Sequence, residues 1–291
     1  MRRPDPDEQT PFPQWQVFTT RRPGLNRSVP PGSESLHWVA NTSTLIYGQR
    51  DAVLVDTFMT IDQSRALLEA VIASGKNLTA IYITHAHGDH FFGLAPLLER
   101  FRRARAVAMP DVVRAMAHQV DPEYMASFWR RLYPGQIPER TPIATMLDGD
   151  LDLEGHKLVP VPLGHTDTPS STCLHVPSAD LVVAGDAVYN GTHLYLAETT
   201  PRTRADWLAA LDAITALEPR TVIAGHKIPD SGDSPAHVGE TRRYLLDFDR
   251  LEHSTRTARE LFDAMMAIHG DRANPGALWT AATAAKHAAA A

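Results

Sequence analysis

Ala80-Ile-Tyr-Ile83, followed at once by Thr84-His-Ala-His-Gly-Asp-His90, is the stretch whose reading decides the fold. The short apolar run reads as a buried strand. The loop leaving it sets out His85, His87, Asp89 and His90 as H-x-H-x-D-H. In a loop, the i, i+2 spacing lets two imidazoles face one ion, while the neighbouring Asp and His turn toward a second. Neutral imidazole and carboxylate are donors that suit Zn²⁺, Mn²⁺ or Fe²⁺. The competing account is plain: Asp89 caps a helix and the histidines are solvated.

Three later signals weigh against that account. A strand over 158–163 runs into Gly164-His165-Thr166, one over 181–184 into Gly185-Asp186, and one over 221–224 into Gly225-His226. Each is an apolar strand, a glycine that allows a tight turn, and a metal-competent side chain. Loops at the ends of buried strands are where a rigid scaffold carries its chemistry. Both halves of the chain follow this grammar. Strands are predicted at 36–40, 44–47, 52–55, 104–109, near 151, and at 157–161 and 172–176. A helix capped by Asp62 presents Leu67, Leu68, Val71 and Ile72, and further helices span 91–101, 111–135 and 204–217. Residues 1–34, rich in Pro and Arg, read as a loosely ordered arm. Residues 35–235 read as one catalytic domain, with 111–140 as a helical lid insertion, and 236–291 as C-terminal helices packed on it.

Composition narrows the function classes. The chain has 291 residues, 14 of them His, against 28 Lys and Arg together. Its net charge of −6 is a poor footprint for a nucleic-acid binder. No apolar run reaches membrane-spanning length and no leader is legible, so the expectation is a cytoplasmic protein without a nucleic-acid or membrane partner. The single cysteine, Cys173, lies within a predicted strand and reads as a small buried residue.

The ordered signals resemble those of the metallo-β-lactamase superfamily, over roughly residues 36–230. Val55-Asp56-Thr57 is similar to its first signature, and the H-x-H-x-D-H, G-H-T, G-D and G-H stretches to the next four. The resemblance implies an α/β fold, the αββα sandwich of two mixed β-sheets flanked by helices. It implies that His85, His87 and His165 hold one ion and Asp89, His90 and His226 the other, with Asp186 bridging and Asp56 orienting a ligand. Two Zn²⁺ per chain are expected, with Mn²⁺ or Fe²⁺ as alternatives. Two divalent ions, the two carboxylates and one bridging hydroxide leave a net +1 centre suited to a developing oxyanion.

The same resemblance sorts the branches. Members of the cysteine-ligand β-lactamase type have Cys where this chain has Asp186, and flavodiiron members have an acid where His87 stands. Asp186-Ala-Val-Tyr189 resembles the lactonase pattern, in which a tyrosine three residues after the bridging Asp meets the substrate carbonyl. The implied activity is metal-dependent hydrolysis of an ester or lactone, N-acyl-homoserine lactones included, with Asp89 and Tyr189 catalytic. A glyoxalase II-like thioesterase and a mononuclear-iron persulfide dioxygenase are the alternatives. Tyr189, His193, Phe91, Phe128, Trp129 and Tyr133 are the residues expected to meet the substrate. The C-terminal helices offer a lid or a homodimer surface.

Overall fold

The computed structural model describes residues 13–21, 30–32 and 39–288. Two sheets lie face to face. The first runs in the order β1 (Gln14–Arg21), β2 (Ala40–Tyr47), β3 (Asp51–Val55), β4 (Asn77–Tyr82), β5 (Arg105–Ala108) and β6 (Thr145–Met146). It is antiparallel from β1 to β3 and parallel from β3 to β6. The parallel crossovers carry helices: α1 (Ile61–Ala73) joins β3 to β4, and α2 (Gly88–Phe91) with α3 (Leu94–Arg100) join β4 to β5. Beyond β5 come α4 (Pro110–Gln119), α5 (Pro122–Tyr124), a π-helical turn at Met125–Trp129 and α6 (Arg130–Leu132). The second sheet contains β7 (Leu151–Leu153), β8 (His156–Gly164), β9 (Ser171–Val176), β10 (Leu181–Asn190) and β11 (Thr221–Lys227). Its order is β11-β10-β9-β8-β7, with only β10 and β11 parallel. The helix α7 (Pro201–Ala216) makes that crossover, and α8 (Ala236–Ser254), α9 (Ala258–His269) and α10 (Pro275–Ala288) follow.

Period-2 alternation explains the layers. Ile46, Val53, Val55, Tyr82 and Val107 point from the first sheet into the space between the sheets, and Leu158, Leu174, Leu181, Val183 and Ile223 meet them from the second. Their sequence neighbours face outward onto helices. Leu45, Leu54 and Ile81 pack beneath α1, α3 and α4, and Val182, Ala184 and Val222 pack beneath α7 to α10. The result is the expected αββα sandwich.

Three local expectations are corrected. The arm reading fails at Gln14–Arg21, which pairs along its whole length with β2. Trp15 and Val17, two residues apart, face the inter-sheet core, a signal outweighed by the Pro and Arg around it. Residues 1–12 and most of the strand expected at 36–40 lie outside the described residues. The first helix is capped by Thr60, whose hydroxyl accepts from the Gln63 N–H in a capping box, with Asp62 inside the first turn. The helix expected over 91–101 is broken at Phe92–Gly93, where a Cβ on Gly93 would meet the Phe58 carbonyl at 2.9 Å. Among the described residues no helix is long and apolar enough to cross a membrane.

Candidate metal centre

The strand ends converge on one edge of the sandwich. Asp56 follows β3, His85 to His90 follow β4, Asp167 follows β8, Asp186 lies within β10 and His226 is the last residue but one of β11. His85, His87, Asp167 and Asp186 each offer a ligand atom within 4.8 Å of the others, and Asp89, His90 and His226 do the same beside them. All are buried.

The outer nitrogen of each imidazole is taken, which assigns its tautomer. Thr84 Oγ1 donates to Asp56 Oδ2 at 2.7 Å, so His85 Nδ1, 3.0 Å from the same hydroxyl, is the donor there. His90 Nδ1 donates to Asp56 Oδ2 at 3.1 Å, and His87 Nε2 to Glu198 Oε1 at 3.2 Å. His226 Nδ1 donates to the Ala40 carbonyl. Every second nitrogen therefore turns its lone pair inward. Outer partners of this kind fix ring orientation at metal sites.

The inward atoms show that the residues fit an ion. His85 Nε2, His90 Nε2, Asp167 Oδ2 and Asp186 Oδ1 are buried without a hydrogen-bond partner. They are nonetheless close to one another: His90 Nε2 is 3.3 Å from Asp186 Oδ1, and His85 Nε2 is 3.7 Å from Asp167 Oδ2. Asp167 Oδ2 lies 2.8 Å from His87 Nδ1 without the alignment of a hydrogen bond. Buried polar atoms that converge without bonding one another are costly unless something occupies their common focus. A divalent cation, accepting lone pairs from nitrogen and oxygen, meets that demand.

Without an ion, the buried carboxylates draw protons onto these rings instead, and the same demand for positive charge shows in the shifts. Burial pushes the His87 and His90 imidazoles down, but Asp167 and Glu198 at the first, and Asp186 and Asp89 at the second, outweigh it and hold both well above the ordinary range. Burial alone pushes Asp186 up, yet His226 and His90 hold its carboxyl well below the usual carboxylate value. The backbone is shaped to match. Asp56 sits at φ +58°, accepting from the Thr84 N–H at 2.8 Å, and a Cβ on Gly225 would strike the Asp186 carboxylate.

The expected His165 is not in either group. Gly164, at φ +74°, turns the chain so that His165 stands partly exposed, with Nε2 3.2 Å from the Glu198 carbonyl. Asp167, two residues on, stands in the first group instead. The Thr166 hydroxyl donates to its Oδ1 at 2.9 Å and is packed 2.6 Å from Ser171 Oγ, leaving Oδ2 to face inward. The available signal was a second metal-competent side chain two residues after His165 in the same strand-end loop. Phe91 is also corrected: it is wholly buried in the core against Phe92, because α2 turns that face under the first sheet. Cys173 is buried as expected, and burial pushes its thiol up to about 12.

A cavity of about 710 Å³, counting its open mouth, lies over the inward atoms. Asp89, Asp186, His226 and Tyr189 form its floor, and Tyr124, Phe128, Trp129 and Tyr133 one wall, contributed by the π-helical turn and its neighbours. His193, Tyr195, Glu198 and Asn274 complete it. Tyr189 donates to Asp186 Oδ2 at 3.0 Å and stacks on His226. Sequence reasoning missed Glu198, which holds His87, and Asn41, whose Nδ2 donates to Asp89 Oδ2 at 2.8 Å. Neither lies in a recognisable motif, and each reaches the site only through the tertiary fold.

The comparisons agree with this geometry. The family model for the metallo-beta-lactamase superfamily matches residues 37–226. A metallo-beta-lactamase family protein from Thermus thermophilus superposes with a TM-score of 0.60 at 21% identity, covering 90% of this chain and 91% of that one. A beta-lactamase domain protein from Burkholderia ambifaria gives 0.62 at 18%, covering 93% and 84%. The mono-zinc form of FIM-1 from Pseudomonas aeruginosa gives 0.58 at 16%, covering 80% and 91%. At these identities the structural likeness speaks to the fold alone. Among curated proteins no match was found. With its sandwich, its strand-end histidines and aspartates and this match over most of its length, the chain belongs to the metallo-beta-lactamase superfamily of metal-dependent hydrolases.

Proposed function

We propose that the protein hydrolyses neutral esters or lactones bearing an apolar group, using two divalent ions of the Zn²⁺, Mn²⁺ or Fe²⁺ class. The observation that carries this reading is the cavity lining. Asp89, Asp186 and Glu198 contribute carboxylates, four aromatic side chains form a wall, and no Lys or Arg is among the described lining residues. With the ions' charge set against the carboxylates that would hold them, no described cation beside the aromatic wall is left to pair with a substrate's own charge, which favours an uncharged, apolar ligand. It also counts against the glutathione-based alternatives, whose substrates carry negative charge.

Divalent ions held by His85, His87, Asp167, Asp186, Asp89, His90 and His226 would bring the pKa of a water toward neutrality and polarise the carbonyl. The rest is done by the chain itself. Asp89, anchored by Asn41, is the group placed to orient the attacking water and take its proton. The Tyr189 phenol, which donates to Asp186 Oδ2 at 3.0 Å on the cavity floor, serves as a donor to the oxygen of the scissile carbonyl. Phe128 and Trp129 offer ring faces and edges to the acyl group, excluding water from it.

A panel of uncharged nitrophenyl esters, acyl lactones and phosphodiesters, offered to metal-loaded protein, tests the reading. Turnover of esters or lactones, improving with apolar chain length, is expected. Turnover of phosphodiesters in preference to both would overturn it.

A further inference from the structure

We propose that Asp167, standing where a third histidine was expected, biases the centre toward oxygen-preferring Mn²⁺ or Fe²⁺ relative to Zn²⁺. This inference rests on the metal-dependent reading above and goes beyond it, from the presence of ions to their selection.

The composition of the two groups carries the argument. With His165 in place, one ion would face three imidazoles and the other two. With Asp167, each half has two imidazoles and one carboxylate of its own: His85, His87 and Asp167 on one side, His90, His226 and Asp89 on the other. Asp186 stands between them, Oδ2 being 3.9 Å from His85 Nε2 and Oδ1 3.3 Å from His90 Nε2. The halves are thus chemically alike.

Asp167 is not a casual neighbour. It is wholly buried, its Oδ1 is fixed by Thr166, and its Oδ2 has no hydrogen-bond partner although His87 Nδ1 lies 2.8 Å away. His165 is meanwhile held outside against the Glu198 carbonyl. The same loop therefore turns one donor out and another in.

Two consequences follow from general chemistry. Replacing imidazole by carboxylate exchanges a donor that suits Zn²⁺ for one that suits Mn²⁺ and other hard ions. It also adds a negative charge: three carboxylates (Asp89, Asp167, Asp186) against two divalent ions leave +1, where two carboxylates leave +2. Zn²⁺ still binds more tightly in absolute terms, as the general order of divalent affinities requires. What Asp167 changes is the ratio.

Competition titrations with a chelating indicator, run anaerobically with Mn²⁺ and with Zn²⁺, read that ratio directly. In Asp167→Asn, Mn²⁺ affinity is expected to fall about tenfold more than Zn²⁺ affinity. Asp167→His should move the ratio the same way, and His165→Ala should leave both affinities within about twofold. An equal loss for both ions in Asp167→Asn, or loss of an ion in His165→Ala, would overturn the proposal while leaving metal-dependent hydrolysis standing. Wild-type protein that binds neither ion would defeat both. Should the Asp167 variants fail to fold, histidine nitrogen NMR of the wild type decides. Zn²⁺ should shift the imidazoles of His85, His87, His90 and His226 and leave His165 unmoved. A coordinated His165 would refute the assignment.

Discussion

Single residues determine whether the centre can act. Asp56 binds no substrate, yet it receives the Thr84 N–H and hydroxyl and the His90 Nδ1–H from a left-handed backbone position. Removing such an outer partner typically costs 10–100-fold in metal affinity, and Asp56→Ala is expected to do so, read by titration of the ion. Tyr189→Phe keeps the ring stacked on His226 and deletes only the donor. A loss of about 10²-fold in kcat on an ester, with KM nearly unchanged, is expected if the phenol serves the transition state, and an unchanged kcat would remove it from the catalytic set. At this scale the sequence was most informative for His85, His87, Asp89 and His90, because their spacing is local. The structure departs from it at His165 and Asp167, the first standing outside both groups and the second within one. Two competent donors shared one loop, and the choice between them is made by the Gly164 turn and the Thr166–Ser171 hydroxyl pair.

Elements explain why the floor and wall of the cavity stay in register. Arg204 on α7 is buried and bonded to Asp249 and Glu252 on α8, with its guanidinium over the Phe248 ring and one N–H on Thr199, next to Glu198. Truncating it would leave two acids facing a vacated site. Arg204→Ala is therefore expected to destabilise by about 3–5 kcal/mol in chemical denaturation. The C-terminal helices are tied in by His193. Its Nδ1 is 2.9 Å from Tyr244 Oη on α8, and its backbone N–H donates to Ala273 just before α10. Burial first, then Arg272 and His269, push His193 down to about 3. The unfolded chain therefore takes up a proton near pH 6.5 that the folded chain refuses until about pH 3. This histidine costs stability as the pH falls through that window, so the stability of His193→Gln should decline less between pH 6.5 and 3 than that of the wild type. The helices here were legible from their 3.6-residue stripes. The strand Gln14–Arg21 was not, because pairing with β2 brings together residues far apart in sequence and its composition pointed elsewhere.

At the scale of the whole molecule, two sheets bring Asp56, the 85–90 loop, Asp167, Asp186 and His226 to one edge and hold them buried there. The fold was readable because strand, glycine and ligand recur in order, each a short-range pattern. The cavity was only partly readable: Phe128, Trp129 and Tyr133 line it, while Phe91 is turned into the core and Glu198, Tyr195 and Asn274 arrive from segments without a motif. Ions bound at such an edge stabilise the folded state by mass action, so removal with a chelator is expected to lower Tm, with recovery on readdition. The central claim is that the inward nitrogens and oxygens form a two-ion centre, and metal content per folded chain tests it most directly. After reconstitution and desalting, mass spectrometric analysis should find about two divalent ions per chain, falling to about one or fewer in Asp186→Ala. Wild-type protein that is folded, offered Zn²⁺ and Mn²⁺, and still carries none would contradict the account.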